Sequence, residues 1–189
     1  MNEEHLKLCS SDEWAEVVGQ FIIPWALDGI DLGDDVLEVG PGPGRTTDVL
    51  RHLVPRLTAV EVDDQLAAAL ARRLAGQVEV VHADGTALPF EDGRFSGAVS
   101  FTMLHHVPSV ELQDQLFAEV ARALRPGGVL AGEDSLDGED FRALHVDDIC
   151  VPLDPEGLAG RLERAGFTSV AVDTNEFAVR FRGRARPVE

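Results

Sequence analysis

Val36-Leu37-Glu38-Val39-Gly40-Pro41-Gly42-Pro43-Gly44-Arg45-Thr46-Thr47 is the stretch on which the reading of this chain turns. An apolar strand, Val36 to Gly40, runs into three alternating glycines and then into a helix that starts near Thr46. A strand that turns this sharply into a helix brings bare backbone up to a ligand. Missing Cβ atoms leave room for the turn and the approach, and the first helical turn aims free N–H groups at whatever sits there. A nucleotide-like ligand is the first expectation. The dinucleotide fingerprint, however, requires Gly-x-Gly-x-x-Gly/Ala. Counted from Gly40 its last position is Arg45, and from Gly42 it is Thr47, so neither frame fits and a nicotinamide oxidoreductase is disfavoured.

Outward from the loop the pattern alternates strand and helix. Upstream, Ser10-Ser11-Asp12-Glu13 reads as a capping box opening a helix to about Leu27, with Trp14, Val17, Val18, Phe21 and Ile22 as its apolar stripe and Pro24 ending or kinking it. Downstream, Leu57 to Val62 is the second strand, Gln65 to Ala75 a helix stopped by Gly76, and Val78 to His82 the third strand. Phe95 to Phe101 is the fourth. Leu112, Leu116, Phe117, Val120 and Leu124 recur at helical spacing on the next helix. Arg125-Pro126-Gly127-Gly128 breaks that helix before a fifth strand, Val129 to Glu133. Asp134 to Leu153 has no clear period, and long loops in compact domains are often functional. Asp154-Pro155 opens a last helix that closes at Gly166. Phe167 to Asp173 and Phe177 to Phe181 then read as a hairpin, hence an antiparallel pair after strand-helix units that require parallel neighbours.

Composition narrows the classes. The 189 residues, 44% of them hydrophobic, suit one α/β domain. Acidic residues outnumber basic ones 34 to 16, for a formal net charge of −18, so the field repels phosphate backbones and anionic membranes. No nucleic-acid or membrane partner is expected. Only Arg180 to Arg186 is locally basic, and it reads as a solvated strand end and terminus. Cys9 and Cys150 form no Cys-x-x-Cys pair, which argues against a disulfide framework or zinc ribbon. Without a basic patch and apolar run at the start, the chain is expected to be cytoplasmic.

In open α/β sheets a ligand sits beyond the carboxyl ends of the strands, where strand order reverses. Glu61 ends the second strand, 21 residues after Gly40, and its carboxylate can accept hydrogen bonds from both hydroxyls of a ribose. Asp63 and Asp64 read as caps of the following helix.

The pattern Glu-x-Gly-x-Gly-x-Gly, with Glu38 inside the strand, resembles the first motif of the class I S-adenosylmethionine-dependent methyltransferases. Ala83-Asp84-Gly85-Thr86-Ala87-Leu88-Pro89-Phe90 resembles the family's Asp-x-x-x-Leu-Pro-Phe segment, and Phe101-Thr102-Met103-Leu104-His105-His106 its segment after the fourth strand. With Glu61 and Arg125 to Gly128, five landmarks follow in order from Val36 to about Leu130. Similarity is greatest to the broad group containing ubiquinone and menaquinone methyltransferases, the type 11-like domains. The resemblance implies a Rossmann-like, open, mostly parallel seven-stranded sheet with helices on both faces and a C-terminal antiparallel hairpin. It implies S-adenosylmethionine as cofactor and S-adenosylhomocysteine as product. The loop of Gly40, Pro41, Gly42 and Gly44, with Thr46 behind it, would lie against the amino-acid part, and Glu38 would help organise the site around the ammonium group. Glu61 and Val62 would flank the ribose. Asp84, Gly85 and Thr86 would meet the adenine, and the Phe101 backbone the methionine part.

The expected organisation is a single domain, 1–189, with a helical lid at 1–30, a cofactor core at 34–133 and a substrate side at 134–189. The expected reaction is methyl transfer to a small-molecule acceptor by a monomer or homodimer. A module that binds the cofactor without turnover is the alternative. His105 and His106, at a strand's carboxyl end, are the candidate general bases. Trp14 and His145 are substrate-side candidates. His145-x-Asp147-Asp148 has metal-like spacing, but with no second histidine or cysteine nearby in sequence no metal is expected.

Overall fold

The computed structural model describes residues 1–187, so the last two residues of the expected 1–189 domain lie outside it. The strands are β1 (Val36–Val39), β2 (Leu57–Glu61), β3 (Glu79–His82), β4 (Phe95–Phe101), β5 (Leu124–Ser135), β6 (Phe167–Thr174) and β7 (Ala178–Ala185). They form one seven-stranded sheet in the order β3-β2-β1-β4-β5-β7-β6. From β3 to β5 all neighbours are parallel, and β7 runs antiparallel to both β5 and β6. The chain leaves β1 towards β2 on one side and reaches β4 on the other, so the order reverses between β1 and β4. That crevice is where such sheets bind ligands.

Burial explains the layers. All four residues of β1 are buried, as expected for a parallel strand covered on both faces. The strand's period of two divides them: Val36 packs with Val18, Ile22, Leu50 and Leu70 on one face, while Leu37 and Val39 pack with Leu116, Phe117, Leu158 and Leu162 on the other. The first layer is α2 (Asp12–Val17), α3 (Ile23–Ala26), α4 (Arg45–Leu50) and α5 (Asp64–Arg73). The second is α6 (Val110–Ala123) and α8 (Pro155–Ala165). The expected caps hold at Asp63, whose carboxylate accepts from the Gln65 and Leu66 N–H groups, and at Asp154, which accepts from Glu156.

Five expectations need correction. Ser11, not Ser10, caps α2, accepting from the Trp14 N–H at 3.0 Å. Between α2 and α3 the helix widens to a π-helical turn, Val18–Ile22, one residue before Pro24, which stands in the first turn of α3 where its missing N–H leaves no donor wasted. A further helix, α1 (Glu3–Cys9), precedes it, capped by Asn2. At 7 residues it is too short to show a period and is held by tertiary contacts. The aperiodic segment after β5 contains α7 (Glu139–Leu144). Finally, β7 continues through the basic stretch to Ala185, burying Phe181 and Ala185 while Arg182 and Arg184 face solvent. Arg180 instead stacks on the Trp25 ring, 5.1 Å from its centroid, and donates to the Trp25 carbonyl at 2.7 Å.

Candidate cofactor site and adjoining histidine cluster

At the reversal point a cavity of about 610 Å³ opens over the carboxyl ends of β1, β2 and β4. That is the size of a site for a mid-sized organic ligand. The glycine loop forms one side. Gly40 has φ 73°, and a Cβ there would lie 2.2 Å from Met103 Cγ. Met103 is thus packed onto the loop because the residue is glycine. Gly42 has φ 54° with nothing within 4 Å of a Cβ position, so its backbone faces open cavity.

Two carboxylates hold this loop from below and beside. Glu38, 1% exposed, shares the face of Val36 and meets α4. It accepts hydrogen bonds from the Thr46 hydroxyl and, at 2.7 Å, from the Thr47 hydroxyl. Burial nevertheless pushes its carboxyl up to about 7. Glu38 does not line the cavity. Its contact with the ligand pocket runs through Thr46, so it acts as the anchor of the loop rather than as a wall. Glu61 does line the cavity. Its two oxygens accept from the Gly42 N–H and the Asp63 N–H, each at 2.9 Å. Each oxygen thereby keeps acceptor capacity for a ligand hydroxyl.

Asp84 and Thr86 stand on the neighbouring rim. The Thr86 N–H and hydroxyl both donate to Asp84 Oδ1 at 2.8 Å, an Asx-type turn that leaves Oδ2 for a ligand. Gly85 is tight: a Cβ would fall 2.9 Å from Val39 Cγ1. Pro41, Val62 and Phe101 also line the cavity, as expected, and so does Trp14. Three apolar residues also line the cavity: Leu112 and Leu116, expected only as helix-face positions, and Leu66, which the sequence reading does not single out. Leu66 belongs to the same short helix that Asp63 caps, a signal available in the sequence. Arg45 ties the N-terminal helices to the loop, donating to the Ser10 carbonyl and pairing with Asp12 at 3.1 Å.

The histidines depart from expectation. His106 lines the cavity, but His105 and His145 do not. His105 is 1% exposed, with Nδ1 2.5 Å from Asp134 Oδ1. His145 is buried, its Nδ1 2.7 Å from the Phe141 carbonyl. It is not a substrate-side wall residue, because α7 turns its ring inward against His105 and His106 rather than towards the cavity. Burial, reinforced by the neighbouring imidazoles, lowers His106 to about 3 and His5 to about 4. His106 is therefore neutral but reluctant to take a proton, which argues against a general base. The premise that no second histidine lies near His145 fails in three dimensions: His5, His105 and His106 surround it.

The methyltransferase domain family matches residues 37–132, just over half of the chain. A probable S-adenosylmethionine-dependent methyltransferase of Mycolicibacterium smegmatis is 32% identical over 97 residues, 51% of this chain and 36% of that protein. A ribosomal RNA small subunit methyltransferase A of Cupriavidus pinatubonensis is 47% identical over 82 residues, 42% of this chain and 29% of that protein. The chain thus spans about a third of the length of these curated relatives. Among solved structures, a SAM-dependent methyltransferase from Aquifex aeolicus superposes with a TM-score of 0.75 at 17% identity, covering 97% of this chain and 98% of that one. The chain belongs to the methyltransferase domain family, the class I S-adenosylmethionine-dependent type that the glycine loop, Glu61 and Asp84 indicated. Its sheet is the Rossmann-like methyltransferase sheet with the antiparallel end.

Proposed function

We propose that this chain transfers the methyl group of S-adenosylmethionine to a small-molecule acceptor by in-line displacement. The observation that carries this reading is the convergence of the Gly42 backbone, Glu61 and Asp84 on one cavity at the reversal point of the sheet. The residues fit the cofactor's chemistry. Glu61 retains acceptor capacity for two ribose hydroxyls, Asp84 Oδ2 can accept from an exocyclic amine, and Leu66 and Leu116 offer apolar surface to a planar base.

When bound, S-adenosylmethionine supplies an electrophilic methyl on a positive sulfur. The chain's own residues orient the reactants and exclude water, which is most of what an in-line displacement requires. Leu6 and Cys9 of α1, with Trp14 of α2, line the cavity, and in this reading the first 30 residues act as its lid. The net charge of −18 disfavours a polynucleotide acceptor although some relatives methylate ribosomal RNA, and it suits a cationic sulfonium. Among the described residues no helix is long and apolar enough to cross a membrane. A cytoplasmic monomer or homodimer is part of the same reading.

Calorimetry with S-adenosylmethionine, S-adenosylhomocysteine and NAD tests the site. Binding of either sulfur ligand without NAD is the expected result, and the reverse pattern would sink it. Release of S-adenosylhomocysteine during incubation with a metabolite extract is expected for turnover. Tight cofactor binding with no such release across extracts would make the chain a binding module instead.

A further inference from the structure

Four of the chain's six histidines meet in one place although they come from three separate parts of the sequence. His5 stands on α1, His105 and His106 on the 3₁₀ turn after β4, and His145 at the C-terminal end of α7. One ring nitrogen from each lies within 4.8 Å of the others. Ring centroids are 4.2 Å apart for His105 and His106, 4.5 Å for His5 and His145, and 4.8 Å for His105 and His145.

Ordinary packing does not explain this cluster. His5, His105 and His145 are 7%, 1% and 5% exposed. Five buried ring nitrogens, His5 Nδ1, His105 Nε2, both nitrogens of His106 and His145 Nε2, have no hydrogen-bond partner among the described residues. Buried polar atoms are nearly always satisfied, and a group of orphans in one spot points to something that would satisfy them together. Among the described residues no ring donates to another, so the cluster is not a self-contained hydrogen-bond network.

The surroundings have the form of a metal site's outer shell. His105 Nδ1 faces Asp134 Oδ1 at 2.5 Å, and Asp134 is itself fixed by the His105 N–H at 3.2 Å and the Ser135 N–H at 2.8 Å. His145 Nδ1 faces the Phe141 carbonyl at 2.7 Å. In these two rings Nδ1 faces an acceptor and is held as the N–H, which leaves the orphaned Nε2 with the lone pair. Carboxylate and carbonyl partners of this kind orient metal-bound imidazoles. Asp148 Oδ2 lies 4.0 Å from His106 Nδ1, adding a second nearby carboxylate.

We propose that His5, His105, His106 and His145 bind one divalent transition-metal ion of the zinc class, in a closed four-nitrogen site beside the cofactor cavity. Zinc–imidazole bonds of about 2.0–2.1 Å place tetrahedral ligand nitrogens about 3.4 Å apart. From a spread of 4.8 Å each nitrogen moves inward by about 0.9 Å or less, within the reach of ring rotation. Imidazole donors suit zinc, cobalt, nickel and copper and not magnesium or calcium. With four protein ligands the site is structural. It fastens α1 across the fold, where the Asn2 side chain already donates to the Leu144 carbonyl at 2.8 Å. α1 also contributes Leu6 and Cys9 to the cavity, so the metal would hold one wall of the cofactor site in place.

The test uses the full chain without a histidine tag, stripped with a chelator and titrated with Co²⁺ and with Zn²⁺. The expected result is saturation at one ion per chain, the intense visible absorption of tetrahedral cobalt, its displacement by zinc, and a higher melting temperature in the loaded form. His5→Gln and His145→Gln are each expected to weaken binding at least 100-fold. Asp134→Asn is expected to weaken it 10- to 100-fold as a positioning residue, whereas His52→Gln leaves it unchanged. Absence of saturable binding to the unsubstituted chain, a weak octahedral cobalt spectrum, or affinity unchanged in both histidine variants would overturn the site. Because the first two outcomes are read on the unsubstituted chain, a variant that fails to fold cannot protect the proposal.

Discussion

The cofactor wall of the cavity and the histidine cluster beside it are built in opposite ways. The cofactor wall comes from the consecutive ends of β1, β2 and β3, with Gly42, Glu61 and Asp84 each placed at or just after a strand end and Glu38, inside β1, anchoring the glycine loop from behind. Its carboxylates are each positioned by local donors: Glu38 by two threonine hydroxyls, Glu61 by two backbone N–H groups, Asp84 Oδ1 by the N–H and hydroxyl of Thr86. The histidine cluster draws on residues 5, 105, 106 and 145, of which His106 lines the cavity, and leaves five ring nitrogens without partners among the described residues. The difference teaches that a site encoded along a strand-turn-helix repeat arrives preorganised, whereas one encoded by distant residues arrives with its donors convergent but unspent.

Substitutions can break this comparison. Glu61→Ala has the largest expected effect. It removes the acceptor for the Gly42 and Asp63 N–H groups and, in the proposed complex, for two ribose hydroxyls. At roughly 1.5–3 kcal/mol per charge-assisted hydrogen bond, S-adenosylmethionine affinity should fall at least 100-fold by calorimetry. An affinity within threefold of the parent would show that the wall is not organised by Glu61.

Glu38→Gln sharpens the claim that Glu38 is an anchor. Because burial raises its folded-state carboxyl from 4.5 to about 7, its contribution to stability is fully present below about pH 4.5 and is lost as pH rises through about 7. The amide carries no such penalty. The unfolding free energy of Glu38→Gln, from denaturant titrations across pH, should therefore gain on the parent between those two values and run parallel to it above, with a difference of up to about 3 kcal/mol. A pH-independent difference would mean that Glu38 is not held protonated by its burial.

Asp84→Ala comes next. Loss of one acceptor on an exposed rim should weaken S-adenosylhomocysteine binding about 10-fold, near 1.4 kcal/mol, and leave the melting temperature almost unchanged. If Asp84→Ala and Glu61→Ala both bind normally, the cavity is not the cofactor's seat. Asp12→Asn should do least. Its ion pair with Arg45 joins a carboxylate that is 95% exposed, and such pairs contribute about 0–1 kcal/mol. A thermal melt distinguishable from the parent by several degrees would show the lid to be tied down more by charge than by packing.

Legibility followed the same division. The parallel strands, the glycine loop and the terminal hairpin could be read because each is announced locally, by an apolar run, a φ-permissive turn or a cap. Errors fell where local signals are short or absent. α1 is one such case, since Asn2 and 7 residues carry no period. α7 is another, hidden in an aperiodic segment. The basic stretch misled in a smaller way. Its alternation of Phe181 and Ala185 with arginines is a strand pattern, obscured by charge. Phe21, counted in the apolar stripe of the N-terminal helix, is 66% exposed because the π-helical turn shifts the register of the face.

The residues by themselves determined the class of this protein. Gly40, Gly42, Glu61 and Asp84 specify their own surroundings, since a strand end, a turn and a helix start fix backbone geometry within a few bonds. What only the tertiary structure decided is which of the remaining polar groups share a place. Glu38 became an anchor rather than a wall because α4 folds Thr46 and Thr47 over it. His145 left the substrate side for a histidine cluster because α1 and the turn after β4 close on α7. Contacts between residues a hundred positions apart depend on how whole layers pack, and no local pattern in the chain records that.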